Sequence, residues 1–375
     1  MDVHAAKAKL DAVISKQRSA FYKPIQVAEI IHRARCSGCA DCQGDPRLTL
    51  QDIRDDLEMY RNLSKRWRDA VTRELIGRVS ISSQKFQDNL FEKNAIPPSV
   101  LSVLAEENRR YPGIVERYIY QAFWMKLQAV HRVMEYVQRT KANPQLFELS
   151  QFMAYFEGKA LRRSVGKAYE IAVYALFDTL VHHLKAQVSL SIDSQEKPLL
   201  QEFEDFARLV LGVDTQHLTI SHPAAFYRAG VTNAADRGVD IWANFGPVVQ
   251  VKHLSLSPEL AEDISEGIRS DWLVIVCKDA DQQVIQTVMQ QLGLNVRGII
   301  TQSQLETWYE KALRGNFADR LSTDLLRYLE SEFVQEFPSI SSFMPFYRRR
   351  GYGQISRCDS PFWREDPWGT LSPQP

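Results

Sequence analysis

The sequence predicts an α/β protein, with a mixed sheet of the α+β kind, that carries a mainly helical N-terminal domain. The first 160 residues place apolar side chains at helical spacing. From residue 164 an almost wholly apolar helix is followed by short β-type runs. The order of helix, three strands, helix and strand is typical of a mixed sheet layered by helices.

Residues 114–139 form the most regular predicted helix, because apolar positions recur every three or four residues without Gly or Pro. Apolar residues on either side of Pro24 also fit helical faces: Leu10, Val13, Ile14, Ile25, Val27, Ile30 and Ile31. Pro97-Pro98 precedes another helix, and Pro144 ends the helical run. These patterns predict a helical domain over residues 1–155.

Residues 156–337 are predicted to form the α/β domain. The helix at 164–184 is apolar almost all round, which predicts burial. Strands are expected at 188–192, 239–245, 248–254, 272–277 and 296–301, with helices at about 258–269, 281–292, 302–314 and 318–334. Residues 338–375 are expected to be an irregular tail packed on the core, because exposed tryptophans such as Trp363 and Trp368 are uncommon.

Composition narrows the class of protein. The 375 residues are 45% hydrophobic and 25% charged, as in globular proteins of two or three domains. The 46 basic residues balance 46 acidic ones, which argues against a histone-like protein that binds acids through bulk charge. The sequence has neither an apolar run of membrane length nor a signal-peptide pattern, so a cytoplasmic protein is expected. Five cysteines, three of them crowded together, do not form a disulfide framework.

The segment at 238–252 carries the chemistry. It is predicted to form a hairpin in which Asp240 lies on the first strand, and Gln250 and Lys252 share one face of the second. A carboxylate, an amide oxygen and the backbone carbonyl of Val251 suit Mg²⁺, while the lysine can activate water or stabilise a phosphate. Glu170, on the preceding buried helix, is a further candidate metal ligand, or an acid with a structural role alone. The trio alone occurs often by chance.

This spacing resembles the catalytic core of the PD-(D/E)XK nucleases, with Gln250 in place of the usual acid. The resemblance covers about 164–301. Three N-terminal segments are similar to Type II restriction endonucleases, most nearly the HaeII family: FYKPIQVAEIIHRAR (21–35), SKRWRDAV (64–71) and SSQKFQDNLFEKNAIPP (82–98).

The resemblance implies a nuclease core of PD-(D/E)XK type, with Asp240, Gln250, Lys252 and Glu170 as catalytic residues. It also implies Mg²⁺-dependent cleavage of double-stranded DNA at a short GC-rich palindrome of the RGCGCY kind. Because the symmetry of a palindrome is matched by protein symmetry, a homodimer is expected.

A cysteine cluster raises the question of zinc. His32, Cys36, Cys39 and Cys42 have the composition of a Cys₃His structural site, which would staple the N-terminal domain. A single run of overlapping C-x₂-C spacings is only half of a zinc pattern. Free reduced thiols in a loop therefore remain an alternative.

Local charge suggests where DNA binds. Residues 61–85 hold seven basic and two acidic side chains. Candidate DNA contacts are Lys65, Arg66, Arg68, Ser82, Ser83, Lys85, Asn89, Arg348, Arg349 and Arg350. A solvated helix face or a charged loop would show the same composition. The sequence contains no phosphate-binding loop or dinucleotide fingerprint, so no nucleotide cofactor is expected.

Two other functions remain open at this point. A structure-specific repair or recombination nuclease would use the same core and ignore sequence. A DNA-binding protein with an inactive nuclease fold is suggested by Gln250, because an amide is a poorer metal ligand than a carboxylate. Lys252→Ala would separate a nuclease, which loses cleavage and keeps binding, from a binding protein, which is unaffected.

Overall fold

The computed structural model describes residues 2–18, 20–36, 57–79, 90–92, 95–229, 239–267, 270, 272–292, 296–355, 361–364 and 368. The chain divides into two compact units. The helical unit comprises Met1–Arg139, Gln151–Val165 and Phe333–Pro375. The sheet unit comprises Thr140–Ser150 and Gly166–Glu332. No helix in the described ranges is long and apolar enough to cross a membrane.

The α-helices follow one another in chain order as α1 (Val3–Ser15), α2 (Tyr22–Arg35), α3 (Leu57–Ile76), α4 (Pro98–Arg110), α5 (Ile114–Ala142), α6 (Leu149–Ala154), α7 (Val165–Leu184), α8 (Lys197–Glu202), α9 (Glu204–Phe206), α10 (Pro258–Gly267), α11 (Gln282–Leu292), α12 (Gln302–Arg314), α13 (Ala318–Glu336) and α14 (Phe343–Arg349). The strands are β1 (Gln187–Ser191), β2 (Thr219–Pro223), β3 (Phe226–Arg228), β4 (Ile241–Ala243), β5 (Val248–Val251), β6 (Leu273–Cys277) and β7 (Val296–Thr301).

The core of the helical unit includes the C-terminal tail. The tail is less irregular than predicted, because it contains α14. Its aromatic residues pack with the apolar faces of α1, α2, α4 and α5, and they are Phe343, Phe346, Tyr347, Tyr352, Trp363 and Trp368. Trp363 Nε1 also donates a hydrogen bond to Glu107 Oε1 at 3.2 Å. The tail therefore contributes its aromatic side chains to the helical core.

Glu116 is the centre of a buried polar network in the helical unit. Its carboxylate contacts His32 Nδ1 at 2.8 Å and accepts hydrogen bonds from Arg35, Asn108 and Tyr352. Burial alone would raise the pKa of Glu116, but its basic partners hold that pKa well below its usual range. The network gives a buried charge the several donors that its burial requires.

The main sheet has five strands in the order β3-β4-β5-β6-β7. The pairs β3–β4 and β4–β5 are antiparallel, whereas β5–β6 and β6–β7 are parallel. The observed order agrees with the predicted mixed sheet. β2 and β3 were not predicted, because each is short and lacks a sustained apolar alternation.

Helix α7 packs on the sheet through aromatic residues. Tyr169 donates its hydroxyl to the carbonyl of Cys277 at 2.9 Å. The Phe177 ring lies 5.5 Å from that of Phe226 on β3, measured between centroids. Its largely apolar sequence predicted burial, and nine of its residues are buried. This packing fixes the first turns of α7 beside the ends of the strands.

The strand predicted at 188–192 is present as β1 but does not join the main sheet. It pairs with β2 in a separate two-stranded sheet. Hydroxyl pairs Ser189–Ser221 and Ser191–Thr219 line this hairpin. None of the β1 residues is fully buried, so β1 has no apolar face that could belong to the core of the main sheet. Residues 187–223, which include α8 and α9, are called the hairpin module below.

Candidate active site

Three of the predicted site residues share one face of the main sheet. The register pairs Trp242 on β4 with Val248 on β5. Side chains alternate along a strand, so Asp240, just before β4, lies on the same face as Gln250 and Lys252. The turn between the strands requires Gly246, whose φ of 112° is unfavourable for other residues.

Asp240 and Gln250 are in direct contact. The Gln250 side-chain amide donates through Nε2 to Asp240 Oδ2. The backbone N–H of Val251 donates to the same oxygen at 2.8 Å. The Asp240 side chain thus takes the place of a strand partner for Val251, beyond the two residue pairs that join β4 to β5.

The contact orients the Gln250 amide and isolates its oxygen. Because the carboxylate of Asp240 accepts from Nε2, the oxygen Oε1 points elsewhere. Gln250 is 2% exposed, and Oε1 is buried without a hydrogen-bond partner in the described residues. A buried carbonyl oxygen without a partner is costly. Such an atom beside a carboxylate is a ready acceptor for a cation.

Glu170 lies close enough to Asp240 for the two carboxyl groups to interact. Burial raises the pKa of Glu170 to about 7, and the nearby Asp240 carboxylate adds to the rise. Lys167 acts against this rise in the pKa of Glu170, because its ammonium forms an ion pair of 2.6 Å with Glu170 Oε2. Burial also raises the pKa of Asp240, against the effects of the Val251 N–H and of Lys252.

The donor set fits a hard divalent cation. Asp240 and Glu170 supply carboxylate oxygens, and Gln250 supplies the isolated Oε1. The backbone N–H and C=O of a strand residue point to the same side of the strand. The Val251 N–H points to Asp240, so the Val251 carbonyl points to that side as well. No cluster of three His, Cys, Asp or Glu residues suited to a metal occurs in the described residues. The set here combines acids with an amide and a carbonyl, all oxygen donors of the kind that Mg²⁺ prefers.

Lys167 and two aromatic residues at the site were not predicted. Tyr227 on β3 and Trp242 on β4 stack with ring centroids 4.3 Å apart, and both are exposed. Trp242 lies on the same face as Asp240, two residues along the chain. The unusual exposure of paired aromatic rings identifies them in the structure. Lys167 could have been found from the sequence, because it lies three residues before Glu170 and residues three apart on a helix are neighbours.

The predicted zinc ligands are only partly described. Cys39 and Cys42 lie outside the described residues. Cys36 Sγ is 3.8 Å from His32 Nδ1, which also contacts Glu116 at 2.8 Å. A metal held between this sulfur and Nδ1 would have to displace Glu116. The zinc staple stays a prediction.

Two of the predicted DNA contacts are interior residues. Arg68 is 0% exposed and binds Asp69 and Gln26, so it cannot reach a phosphate without unfolding its surroundings. Arg350 has a side chain 5% exposed and pairs with Glu29. Their side chains satisfy buried acceptors rather than facing solvent.

The other predicted contacts remain candidates. Arg66 and Arg348 are exposed, Lys65 is half-buried, and exposed Arg349 pairs with Glu74 at 2.7 Å. The remaining candidates, Ser82, Ser83, Lys85 and Asn89, lie outside the described residues.

Comparison with known proteins identifies the family. The model of the HaeII restriction endonuclease family matches residues 6–352. The chain is 44% identical over 359 residues to the Type II restriction enzyme NgoBI of Neisseria gonorrhoeae, covering 94% of this chain and 97% of that protein. It is 42% identical to the Type II restriction enzyme HaeII of Haemophilus aegyptius over the same length, covering 94% and 98%. No solved structure matches the chain. The resemblance of its N-terminal segments to Type II restriction endonucleases is thereby confirmed, and the chain belongs to the HaeII restriction endonuclease family, whose members are site-specific deoxyribonucleases.

Proposed function

We propose that Asp240, Gln250, Lys252 and Glu170 form a Mg²⁺-dependent phosphodiesterase site of the PD-(D/E)XK type. The observation that carries this proposal is the buried, unpartnered Oε1 of Gln250 beside the Asp240 carboxylate. Most buried side-chain oxygens have a hydrogen-bond partner. A cation at this position gives the oxygen a partner.

The residues of the site divide into metal ligands and basic groups. Asp240, Gln250 Oε1, the Val251 carbonyl and Glu170 would hold the metal. When bound, Mg²⁺ polarises the scissile phosphate and lowers the pKa of a coordinated water. The Lys252 ammonium donates hydrogen bonds to the attacking water or to charge that develops on the phosphate. Lys167 holds Glu170 through their ion pair and adds positive charge next to the site.

The exposed aromatic pair of Tyr227 and Trp242 would provide a DNA contact beside this chemistry. Trp242 and Tyr227 offer flat apolar surface on the face that carries Asp240 and Lys252. Aromatic side chains of this kind stack on sugars or bases at nucleic-acid interfaces. The pair would position the strand whose phosphate reaches Lys252.

The substrate is proposed to be double-stranded DNA with a short GC-rich palindrome such as RGCGCY, cleaved in the cytoplasm by a homodimer. Family membership supports this substrate class. Each chain offers one candidate site in its described residues, and two antiparallel strands must be cut. A two-fold dimer presents one site to each strand.

The test is cleavage of a long unmethylated DNA of known sequence with Mg²⁺. The wild type should give discrete fragments whose ends map to one palindrome. Asp240→Asn and Lys252→Ala should give none and still shift the DNA in a gel. Glu259→Gln, at an exposed acid in the same unit, is the matched control and should cut normally. Cleavage by Asp240→Asn at the wild-type rate would refute the site, and a smear would refute sequence specificity.

A further inference from the structure

The hairpin module carries an unusual exposed apolar surface. Leu209 is 85% exposed and Val210 is 64% exposed, and three neighbours, Leu199, Phe203 and Phe206, are each more than half exposed. Together these side chains present roughly 600 Å² of apolar surface, near the upper end for the largest patch on a typical monomer. A standard protein–protein interface buries about 800 Å² on each partner.

A groove lies next to the exposed residues. It has a volume of about 520 Å³, and its apolar lining includes Ile192, Leu199, Phe203, Phe206, Ala207 and Leu211. Leu209 and Val210 lie on the single π-helical turn that follows α9 and ends at Gly212. A projecting pair of side chains and an apolar groove therefore occur on one module. Self-complementary features of this kind are what a two-fold symmetric interface requires.

We propose that the hairpin module is the dimer interface of this enzyme, with Leu209 and Val210 of each protomer inserted into the groove of the other. The identity of the partner, a second copy, rests on the proposed function, in which two sites cut two strands of a palindrome. The area of the patch is close to that of a standard interface. The insertion would remove these exposed apolar side chains from water, which favours association.

Charge on the module excludes DNA as its occupant. Residues 193–208 contain five acids and two bases, which are Asp193, Glu196, Glu202, Glu204, Asp205, Lys197 and Arg208. This net negative charge repels phosphates. Two such modules also repel each other weakly, so salt should strengthen their association by screening. DNA binding responds in the opposite direction, because salt weakens phosphate contacts.

The test is sedimentation equilibrium of the full chain without DNA, at low and high salt. The wild type should be a dimer whose dissociation constant falls as salt rises. Leu209→Asp should be at least about 100-fold weaker, because the substitution occurs twice in a symmetric interface. Val210→Lys should act in the same direction. Val334→Asp, with a side chain 58% exposed on α13, is the matched control and should remain dimeric.

Folding and activity controls separate the possible outcomes. Leu209 is mostly exposed, so Leu209→Asp should keep the wild-type circular dichroism and thermal midpoint. A monomeric wild type, or a Leu209→Asp protein that stays dimeric, would overturn the interface. Asp240→Asn should be a dimer without cleavage. If Leu209→Asp is monomeric but the wild type does not cut DNA, the interface holds and the proposed function fails. If the wild type cuts as a dimer indifferent to Leu209, the function holds and the interface fails.

Discussion

Replacement of Glu170 by Gln should stabilise the protein in the absence of metal while it removes cleavage. Burial and the Asp240 carboxylate raise the pKa of Glu170 from an ordinary 4.5 to about 7. Each pKa unit corresponds to about 1.4 kcal/mol, so keeping Glu170 ionised costs up to about 3 kcal/mol of folding free energy. The amide can still accept from Lys167, although more weakly than the carboxylate. We expect a net gain of about 1–2 kcal/mol in the variant, or a rise of roughly 2–8 °C in the thermal midpoint.

The pH dependence gives this prediction its sign. Between about pH 4.5 and 7 the unfolded chain loses a proton from Glu170 that the folded protein keeps. Wild-type stability should therefore fall across that window and level off above it. Glu170→Gln lacks this contribution, so its advantage should be small near pH 4.5 and largest at about pH 8.

The assay is thermal unfolding with a chelator at both pH values, repeated with millimolar Mg²⁺. Mg²⁺ should raise the midpoint of the wild type more than that of Glu170→Gln, because it binds the folded site only. Glu116→Gln provides a matched control of opposite sign, since that carboxylate has four donor partners and its removal should destabilise by about 3 kcal/mol. A lower midpoint for Glu170→Gln at pH 8 without metal would refute the electrostatic reasoning.

Three further substitutions test the site. Lys252→Ala should reduce the rate of single-turnover cleavage at least about 100-fold. Its affinity for DNA, measured by gel shift, should stay within a few-fold of the wild type. An equal loss of cleavage rate and DNA affinity would show that Lys252 acts in binding alone. Gln250→Glu should bind Mg²⁺ more tightly by calorimetry but lower the metal-free thermal midpoint, since it adds a third carboxylate beside Asp240 and Glu170. Unchanged metal affinity would remove Gln250 from the ligand set. Trp242→Ala should weaken DNA binding by about 1–3 kcal/mol and leave the Mg²⁺ affinity unchanged. If the variant bound DNA as tightly as the wild type, the aromatic pair would not contact DNA.

The sequence predicted those elements whose pattern is local. Helices α5 and α7, and strands β5, β6 and β7, have apolar runs long enough to fix their type. Strand alternation predicted that Gln250 and Lys252 share one face. The place of Asp240 on that face followed from the prediction that the two strands form a hairpin. The pairing of β1 with β2 could not be predicted in this way, because partner choice depends on contacts across about 30 residues of chain. The burial of Arg68 and Arg350 depends on tertiary partners that composition does not reveal.

Two buried carboxylates in this chain differ in how the folded protein treats their charge. Glu116 receives four donors, which hold its pKa low, so its ionised form is stabilised by the folded protein itself. Glu170 has one lysine and an acidic neighbour, and its pKa is raised. Burial raises the pKa of both Glu170 and Asp240, and Gln250 Oε1 has no donor among the described residues. The three groups are neighbours, and the metal site proposed above would give each of them a cation as partner. Both acids lie on helices, so their position along the chain does not separate them, whereas their partners in the folded protein do.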